Sequence, residues 1–338
     1  MLWYAIASLT PAGLLAAACG FGGAFSWLAL FSITVFVFFM DKLGHYIPNT
    51  DTDGRVLSLI LAGVHLGLLP LGIWALGAGL HLSFLDKILI FTGLGLFFGQ
   101  ISNSNAHELI HASTRLPRRI GILLYITLLN GHHVSAHLRV HHVHAATPAD
   151  PNSARAGEGF WRFVFRALRG EFVAGLRADT AQRARSSKAA IPFTHPYIAY
   201  TLGAFLALLF SFNLAGWSGV LVHIGIGSYA QLQLLLSDYV QHYGLQRRTT
   251  TKGKSEPVGP QHSWNAPTWY SSAMMLNAPK HSDHHMRPSR AFPALEITPD
   301  TMPILPHSLP VMAVIALFPP LWRRVMSARL KRWQKSAE

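Results

Sequence analysis

The hydrophobic pattern of the chain is dominated by three long runs that contain no charged residue: Leu2 to Met40, Val56 to Leu85 and Ile198 to Leu236. Each is long enough for one or two helical crossings of a bilayer at roughly 20 residues apiece. The pattern predicts spans over 2–19, 22–40, 56–78, 84–104, 196–212 and 216–236. Turns are expected at Gly20–Gly23, at the glycine-rich stretch Leu76–His81 and at Phe212–Gly216. Three hairpins return the chain to its starting side each time. The first run lacks a basic leading segment and is followed at once by another apolar run, so it is expected to be retained as a span. The fold expected is all-α: one integral membrane domain over 1–338, a bundle of about six transmembrane helices.

Polar residues then say what lies outside the bilayer. The fourth helix is expected to run on through His111, roughly 42 Å from Phe84 at 1.5 Å per residue, and the sixth toward His242. Residues 150–195 form an Arg-rich excursion with helical spacing at Phe160, Phe163, Val164, Phe165, Leu168 and Phe172. That spacing fits a helix lying on an anionic membrane surface or one docking a partner. Residues 304–322 are apolar but interrupted by Pro306, Pro310, Pro319 and Pro320, which predicts a shallow interfacial helix rather than a seventh span. The basic tail from Arg323 to Lys335 is expected at the headgroups.

Composition agrees with a membrane chain. Half of the 338 residues are hydrophobic and 13% are charged, against ~25% in soluble proteins. The net charge of +13 comes from basic residues concentrated in the loops on one side: twelve between Asn105 and His195, seven between Leu245 and Arg290, and six after Leu321. The turns around Gly20, Gly79 and Asn213 carry none. This is the positive-inside asymmetry. It places the N-terminus on the cytoplasmic side, and no nucleic-acid recognition motif accompanies the charge. Cys19 is the single cysteine and sits in a span. An intrachain disulfide, Cys-ligated zinc and iron–sulfur clusters are therefore excluded.

Candidate chemistry lies in nine of the 19 histidines. They are His107 and His111; His137, His141 and His142; His281, His284 and His285; and the isolated His242. Imidazoles three to five residues apart can converge on one helix face, with His107 and His111, and likewise His137 and His141, one turn apart. Nine exceed the four to six ligands of one ion and suit two neighbouring ions. The reading is a histidine-rich di-metal cap on the cytosolic side. The pattern His107-Glu108-Leu109-Ile110-His111 also matches zinc metalloproteases, but seven further clustered histidines argue against that reading. A metal transporter would spread histidines through several depths of a pore, whereas these gather on one side. His65 and His223 lie in apolar helices and are expected to be hydrogen-bonded within the bundle. His132 and His133 are either groups that orient ligands or loop residues. His45, His81, His144, His195, His262 and His307 receive no role. Imidazole suits iron, copper, zinc and nickel, and neutral nitrogen donors alone do not exclude copper.

With these clusters, the segment Tyr239-Val240-Gln241-His242-Tyr243-Gly244-Leu245 and the flanks Ala146-Thr147-Pro148-Ala149-Asp150-Pro151 and Pro319 to Met326, the chain resembles the membrane fatty-acid hydroxylase and desaturase superfamily and, within it, the alkane 1-monooxygenases. The likeness runs from about Asn105 to Arg332. It implies two non-haem iron ions, molecular oxygen as co-substrate, and electrons from rubredoxin and its NADH-dependent reductase. It also implies terminal hydroxylation of medium-chain n-alkanes at the inner membrane. The ligand positions it implies are the nine histidines above; no other catalytic residue is assigned. Alkane hydroxylases commonly carry Glu immediately before the histidines matching His137 and His242. Here those places hold Ala136 and Gln241, which look more like the xylene monooxygenase subunit, a methylarene-hydroxylating sister family. A fatty-acyl or lipid desaturase would share the metal chemistry, but it typically lacks the His-Tyr-Gly-Leu element.

A terminal methyl group offers no acidic proton and no polar handle, so acid–base catalysis has nothing to act on and a metal centre must supply the oxidant. The protein's part is positioning and the exclusion of water. The expected route for a hydrophobic substrate is between the helices at 56–78 and 84–104, where Gly63, Gly67, Gly93, Gly95 and Gly99 leave room between backbones or allow close packing.

Overall fold

The computed structural model describes residues 1–79, 81–185, 193–250 and 253–336. Helices carry the architecture among these residues, with two isolated bridges, Thr249–Ser255 and Asn265–Ile304, and no strands. The apolar runs become α1 (Leu2–Phe21), α2 (Ala24–Ile33), α3 (Val35–Lys42), α4 (Arg55–Gly77) and α5 (Phe84–His111). The cap begins with α6 (Arg115–Thr127), α7 (His132–Ala136) and α8 (Phe160–Ala184). The long α9 (Pro196–His242) re-enters the bundle, and α10 (Trp269–Met274), α11 (His281–Met286), α12 (Leu309–Ala316) and α13 (Pro319–Ser336) complete the chain.

Four of these helices are long and apolar enough to cross a membrane, or five if α2 and α3, bent by 40° at Thr34, count as one. The expected second span is thus a broken one. Helix α9 hides a reversal. Ala215 (φ −149°) and Gly216 (φ 60°, ψ −152°) interrupt its 47 residues. Across the break Ser211 Oγ lies 2.7 Å from His223 Nδ1, twelve residues on. On a straight helix those residues would be ~18 Å apart. The two halves therefore fold back on each other at the turn expected near Phe212–Gly216. Gly216 fits because a left-handed φ is reached without a Cβ clash.

The two ends of the bundle differ in chemistry. At one end a single carboxylate joins two hairpins. Asp86 accepts from Gly23 N (2.7 Å) and Ser26 Oγ (2.8 Å) on one side, and from Ser83 Oγ (2.6 Å) within its own capping box on the other. At the opposite end, where α1 and α4 begin and α3, α5 and α9 finish, the cap is tied on by polar contacts. Tyr4 Oη accepts from Asn277 Nδ2 (2.7 Å), and Asp41 Oδ1 accepts from the Tyr270 and Ser271 amides (3.0 and 2.9 Å). Every histidine cluster lies at this cap end.

Two cap elements dock against the core. Helix α8 does not present its whole apolar face outward. Phe160, Phe163 and Val164 are buried in the main core and Leu168 packs against it, whereas Phe165 (76% exposed) and Phe172 face outward. Small residues explain the inward docking: Ala167 is fully buried, and Gly175 sits against the Ala136 backbone. The basic tail is helical and packs its apolar positions inward. It forms α13, and Trp322, Met326 and Leu330, one turn apart, are buried. Trp322 packs edge-on to Tyr243 and tilted against Tyr239, with ring centroids 5.2 Å away in each case. Helix α12, eight residues with Pro310 in its first turn, is too short for a seventh span.

Candidate metal centre

Three helix ends and one turn deliver the histidines. His107 and His111 sit on the last two turns of α5, His242 closes α9, and α11 carries His281, His284 and His285. The remaining three come from a π-helical turn, His137–His141, in which the His142 amide bonds to the His137 carbonyl, five residues back. Another π turn, Phe97–Ser102, interrupts α5 before His107. A π turn shifts side-chain facing from i, i+4 toward i, i+5. The consequence is a re-pairing. His137 joins His142, with Nε2 atoms 2.9 Å apart, and His141 turns elsewhere. The α-helical pairing of His137 with His141 expected from their spacing is therefore not formed.

All nine histidines come together in two groups: His107, His111, His137, His142 and His284 in one, and His141, His242, His281 and His285 in the other. Within each group the candidate ligand atoms lie within 4.8 Å of one another. In the five-histidine group His142 Nε2 lies 2.9 to 3.1 Å from the Nε2 atoms of His111, His137 and His284. In the four-histidine group His281 Nε2 lies 3.0 Å from those of His242 and His285. Two clusters thus serve both groups: the π turn sends His137 and His142 one way and His141 the other, and α11 divides His284 from His281 and His285.

The donor set fits metal ions. Bonds of ~2.1 Å at right angles place neighbouring nitrogens ~3.0 Å apart, which is the spacing found. A nitrogen such as His142 Nε2, with three others at hydrogen-bond distance, cannot satisfy all of them with one proton; a shared cation can. His141 shows the same need. Its Nδ1 is 2.9 Å from Asp150 Oδ2, and its Nε2 is buried with no hydrogen-bond partner. Burial, followed by the neighbouring imidazoles, holds the pKa values of His137, His142, His281, His284 and His285 well below the usual range. These rings are neutral donors, as coordination requires. For His141 burial also opposes the charge, but the Asp150 carboxylate outweighs it and the pKa is raised.

A layer of acids that sequence reasoning left without a role surrounds the groups. Asp150, in the Thr-Pro-Ala-Asp-Pro flank, holds His141 and accepts from Ser153 Oγ (2.7 Å). Asp283 lies between the histidines of α11 and pairs with Arg290 (2.9 Å). Glu171 of α8 meets His132 Nε2 (3.2 Å) and His133 Nδ1 (3.4 Å) and accepts from Asn152 Nδ2 (3.0 Å). Burial raises the pKa of Glu171, but the two imidazoles outweigh it and hold it below the usual carboxylate range. His132 and His133 thus bind a carboxylate and belong to neither group. Glu108 also lies outside them: its Oε1 accepts from Phe292 N (3.3 Å), so it does not face the histidines as a metalloprotease base would.

Three further histidines hold the fold together. His65 bonds Ser102 Oγ and Thr127 Oγ1, and His223 bonds Ser211 Oγ and Thr127 O, as expected for imidazoles in apolar helices. His262 links the Gly259 amide to Glu256. Gln241 ties α9 to the turn that leads into α11, donating to Ala278 O (3.0 Å) and accepting from Ser237 Oγ (2.8 Å).

A cavity of about 60 Å³ meets the centre from the membrane side; His107, His137, His281, Leu234, Asp238 and Gly99 are among its lining residues. A second void of about 40 Å³ shares Gly99, Ser104, Ser237 and Ala278 with it and extends to Leu309 and Ala313 of α12. The small cavity beside the histidines lies among α5, α9 and α12, while the cleft beside His111 lies between the ends of α4 and α5, outside the glycine stretch. The reason is local: Gly63 and Gly67 face nothing within 4 Å, Gly93 packs on Leu15 and Gly95 on Tyr229, and of the five only Gly99 borders the cavity.

Comparison with known proteins supplies a matching pattern. The family described as Fatty acid desaturase matches residues 87–315. The chain is 32% identical to Alkane 1-monooxygenase 2 of Pseudomonas aeruginosa, over 86% of this chain and 78% of that protein. It is 33% identical to Alkane 1-monooxygenase 2 of Alcanivorax borkumensis, over 74% of this chain and 65% of that one. The xylene/toluene monooxygenase hydroxylase component of Pseudomonas putida is 28% identical, over 68% of this chain and 61% of its own length.

Proposed function

The chain belongs to the fatty acid desaturase family and is an oxygen-dependent monooxygenase of the alkane-hydroxylating kind, and from that premise we propose that it converts medium-chain n-alkanes to 1-alkanols at two non-haem iron ions held by its nine clustered histidines. The observation that carries the reading is the gathering of nine imidazoles into two groups, with His107, His137 and His281 bordering a small cavity. The reaction consumes the alkane, O₂, two electrons and two protons, and yields the alcohol and water. Bound iron supplies the oxidising power that a C–H bond without polarity demands.

The protein's share is placement and dryness. Leu234 and the Gly99 backbone give the cavity an apolar wall beside His107 and His137. The void reaching Leu309, Pro310 and Ala313 continues it toward α12. An alkane entering there brings its end to the histidines without crossing water. Electrons come from rubredoxin and its NADH-dependent reductase on the cytoplasmic side of the inner membrane. The whole chain acts as one membrane hydroxylase domain.

A second reading is methylarene hydroxylation, favoured by Ala136 and Gln241 and by the likeness to the xylene/toluene enzyme component. Cells expressing the chain with a rubredoxin system, fed octane, hexadecane and xylene under ¹⁸O₂, decide between them. Labelled 1-octanol is the expected product. An alkene, or an unlabelled alcohol, would sink hydroxylation, and labelled product from xylene alone would move the substrate to the methylarenes.

A further inference from the structure

Six carboxylates are buried among the described residues: Asp150, Glu158, Glu171, Asp179, Asp238 and Asp283. Five of them touch a basic side chain. Asp150 meets His141, Glu158 meets Arg166, Glu171 meets His132 and His133, Asp179 meets Arg139, and Asp283 meets Arg290. Asp238 does not. Its bond is from a neutral donor, Asn152 Nδ2, at 2.8 Å, and the same amide nitrogen gives its other proton to Glu171 Oε2 at 3.0 Å. A buried carboxylate without a cation is costly, and natural proteins retain one where a positive charge faces it.

The surroundings of Asp238 say which charge that is. It lines the same cavity as His107 and His137 of the five-histidine group and His281 of the four-histidine group. Nine imidazole ligands bring no negative charge to offset two divalent ions. Asp283 is already offset by Arg290. We propose that Asp238 is a counter-charge of the two-metal centre, a positioning residue that stabilises the bound ions without ligating them, with Asn152 fixing its carboxylate against Glu171. The inference rests on the two-metal reading and adds to it a residue that sets metal affinity.

A counter-charge and a packing residue predict opposite signs in the metal-free protein. Asp238→Asn keeps the shape and can still accept from Asn152. If Asp238 offsets the ions, the variant is as stable as wild type or more so without metal, because a buried uncompensated charge is gone. It then binds Fe(II) roughly ten- to a hundredfold more weakly, the range for groups just outside a metal's ligands, and its melting temperature rises less on loading. The reverse charge change gives a second, independent reading. Asn152→Asp adds an anion between Asp238 and Glu171, so the metal-free melting temperature should fall and the rise on adding Fe(II) should grow.

The experiment is an anaerobic Fe(II) titration of the metal-free full-length chain in lipid nanodiscs at pH 8, read by bound iron and by melting temperature, for wild type and both variants. Unchanged iron affinity in Asp238→Asn, or a metal-free melting temperature that falls with no change in the Fe(II)-induced rise, would overturn the proposal. Should Asp238→Asn fail to fold, an Fe(II)-induced rise in Asn152→Asp no larger than that of wild type would overturn it. A wild-type chain that takes up no iron and gains no stability would instead refute the two-metal reading itself.

Discussion

The two histidine groups are built from overlapping pieces of chain yet differ in exposure and support. The five-histidine group has half-buried members, His107, His111 and His142, and two of its rings line the membrane-side cavity. Its His111 also borders a surface cleft of about 170 Å³ that includes Asp53, Arg55, Glu108 and Arg290. The four-histidine group is buried throughout, meets the cavity through His281 alone, and has a carboxylate, Asp150, clamped on one of its rings. The contrast gives more access to the first group, and to the second fewer donors with a carboxylate fixing one ring.

Ligand loss gives the sharpest test of that asymmetry. Removing one donor of four costs a site more than removing one of five. His242→Ala is expected to lower bound iron from about two to about one per chain and to abolish product, with the protein still inserted in the membrane. His111→Ala leaves four nitrogens in its group and is expected to keep more iron than His242→Ala while losing activity. Elemental analysis of both variants against wild type checks this, and equal iron loss in the two would erase the distinction between the groups.

The clamp on His141 gives a smaller effect. Asp150→Asn removes the carboxylate that orients the ring and strengthens its donor nitrogen. Affinity for one iron should fall by ~10–100-fold while the other is retained, the usual cost of losing such a partner. Competition with a chelator should therefore become biphasic. A single phase, with both ions weakened alike, would show that Asp150 does not belong to one group in particular.

These two tests bear on different levels of what the sequence reveals. The identities of the nine histidines, the apolar runs and the hairpin at Phe212–Gly216 were legible, because imidazole spacing and hydropathy are local properties. The partition was not. Reading His137 and His141 as one turn apart assumes α-helical geometry, and the π turn that instead pairs His137 with His142 is favoured only by what the surrounding fold requires of that segment. Asp238 and Asn152 are 86 residues apart in the chain, so no spacing rule joins them. The cavity was misplaced for a related reason: five glycines promised room, but which of them face a neighbour, the outside or a void is settled by packing between α5 and α9.

The least effect is expected at the surface near the five-histidine group. Arg118 donates to Ala112 O (2.9 Å), just beyond His111, and with Arg119 and Arg115 forms part of the basic cap face. Some of that charge serves anionic lipid, at ~1 kcal/mol per basic residue near a membrane. Under the proposed function it also steers acidic rubredoxin. Steering acts on association rate and fades as the Debye length shortens from ~10 Å at 0.1 M salt to ~3 Å at 1 M. Charge reversal at Arg118 and Arg119 should raise the apparent KM for rubredoxin by a few-fold and leave iron content and kcat unchanged. Turnover at limiting rubredoxin that ignores both salt and the reversal would leave these arginines to the lipid.

Every one of these contrasts depends on the two groups being two metal sites, and the most direct measurement of that is the metal content of the purified wild-type chain. Elemental analysis of protein extracted from membranes and kept free of chelators should give about two irons per chain, one for each histidine group. A chain carrying only copper, or a single zinc and no iron, would contradict the account.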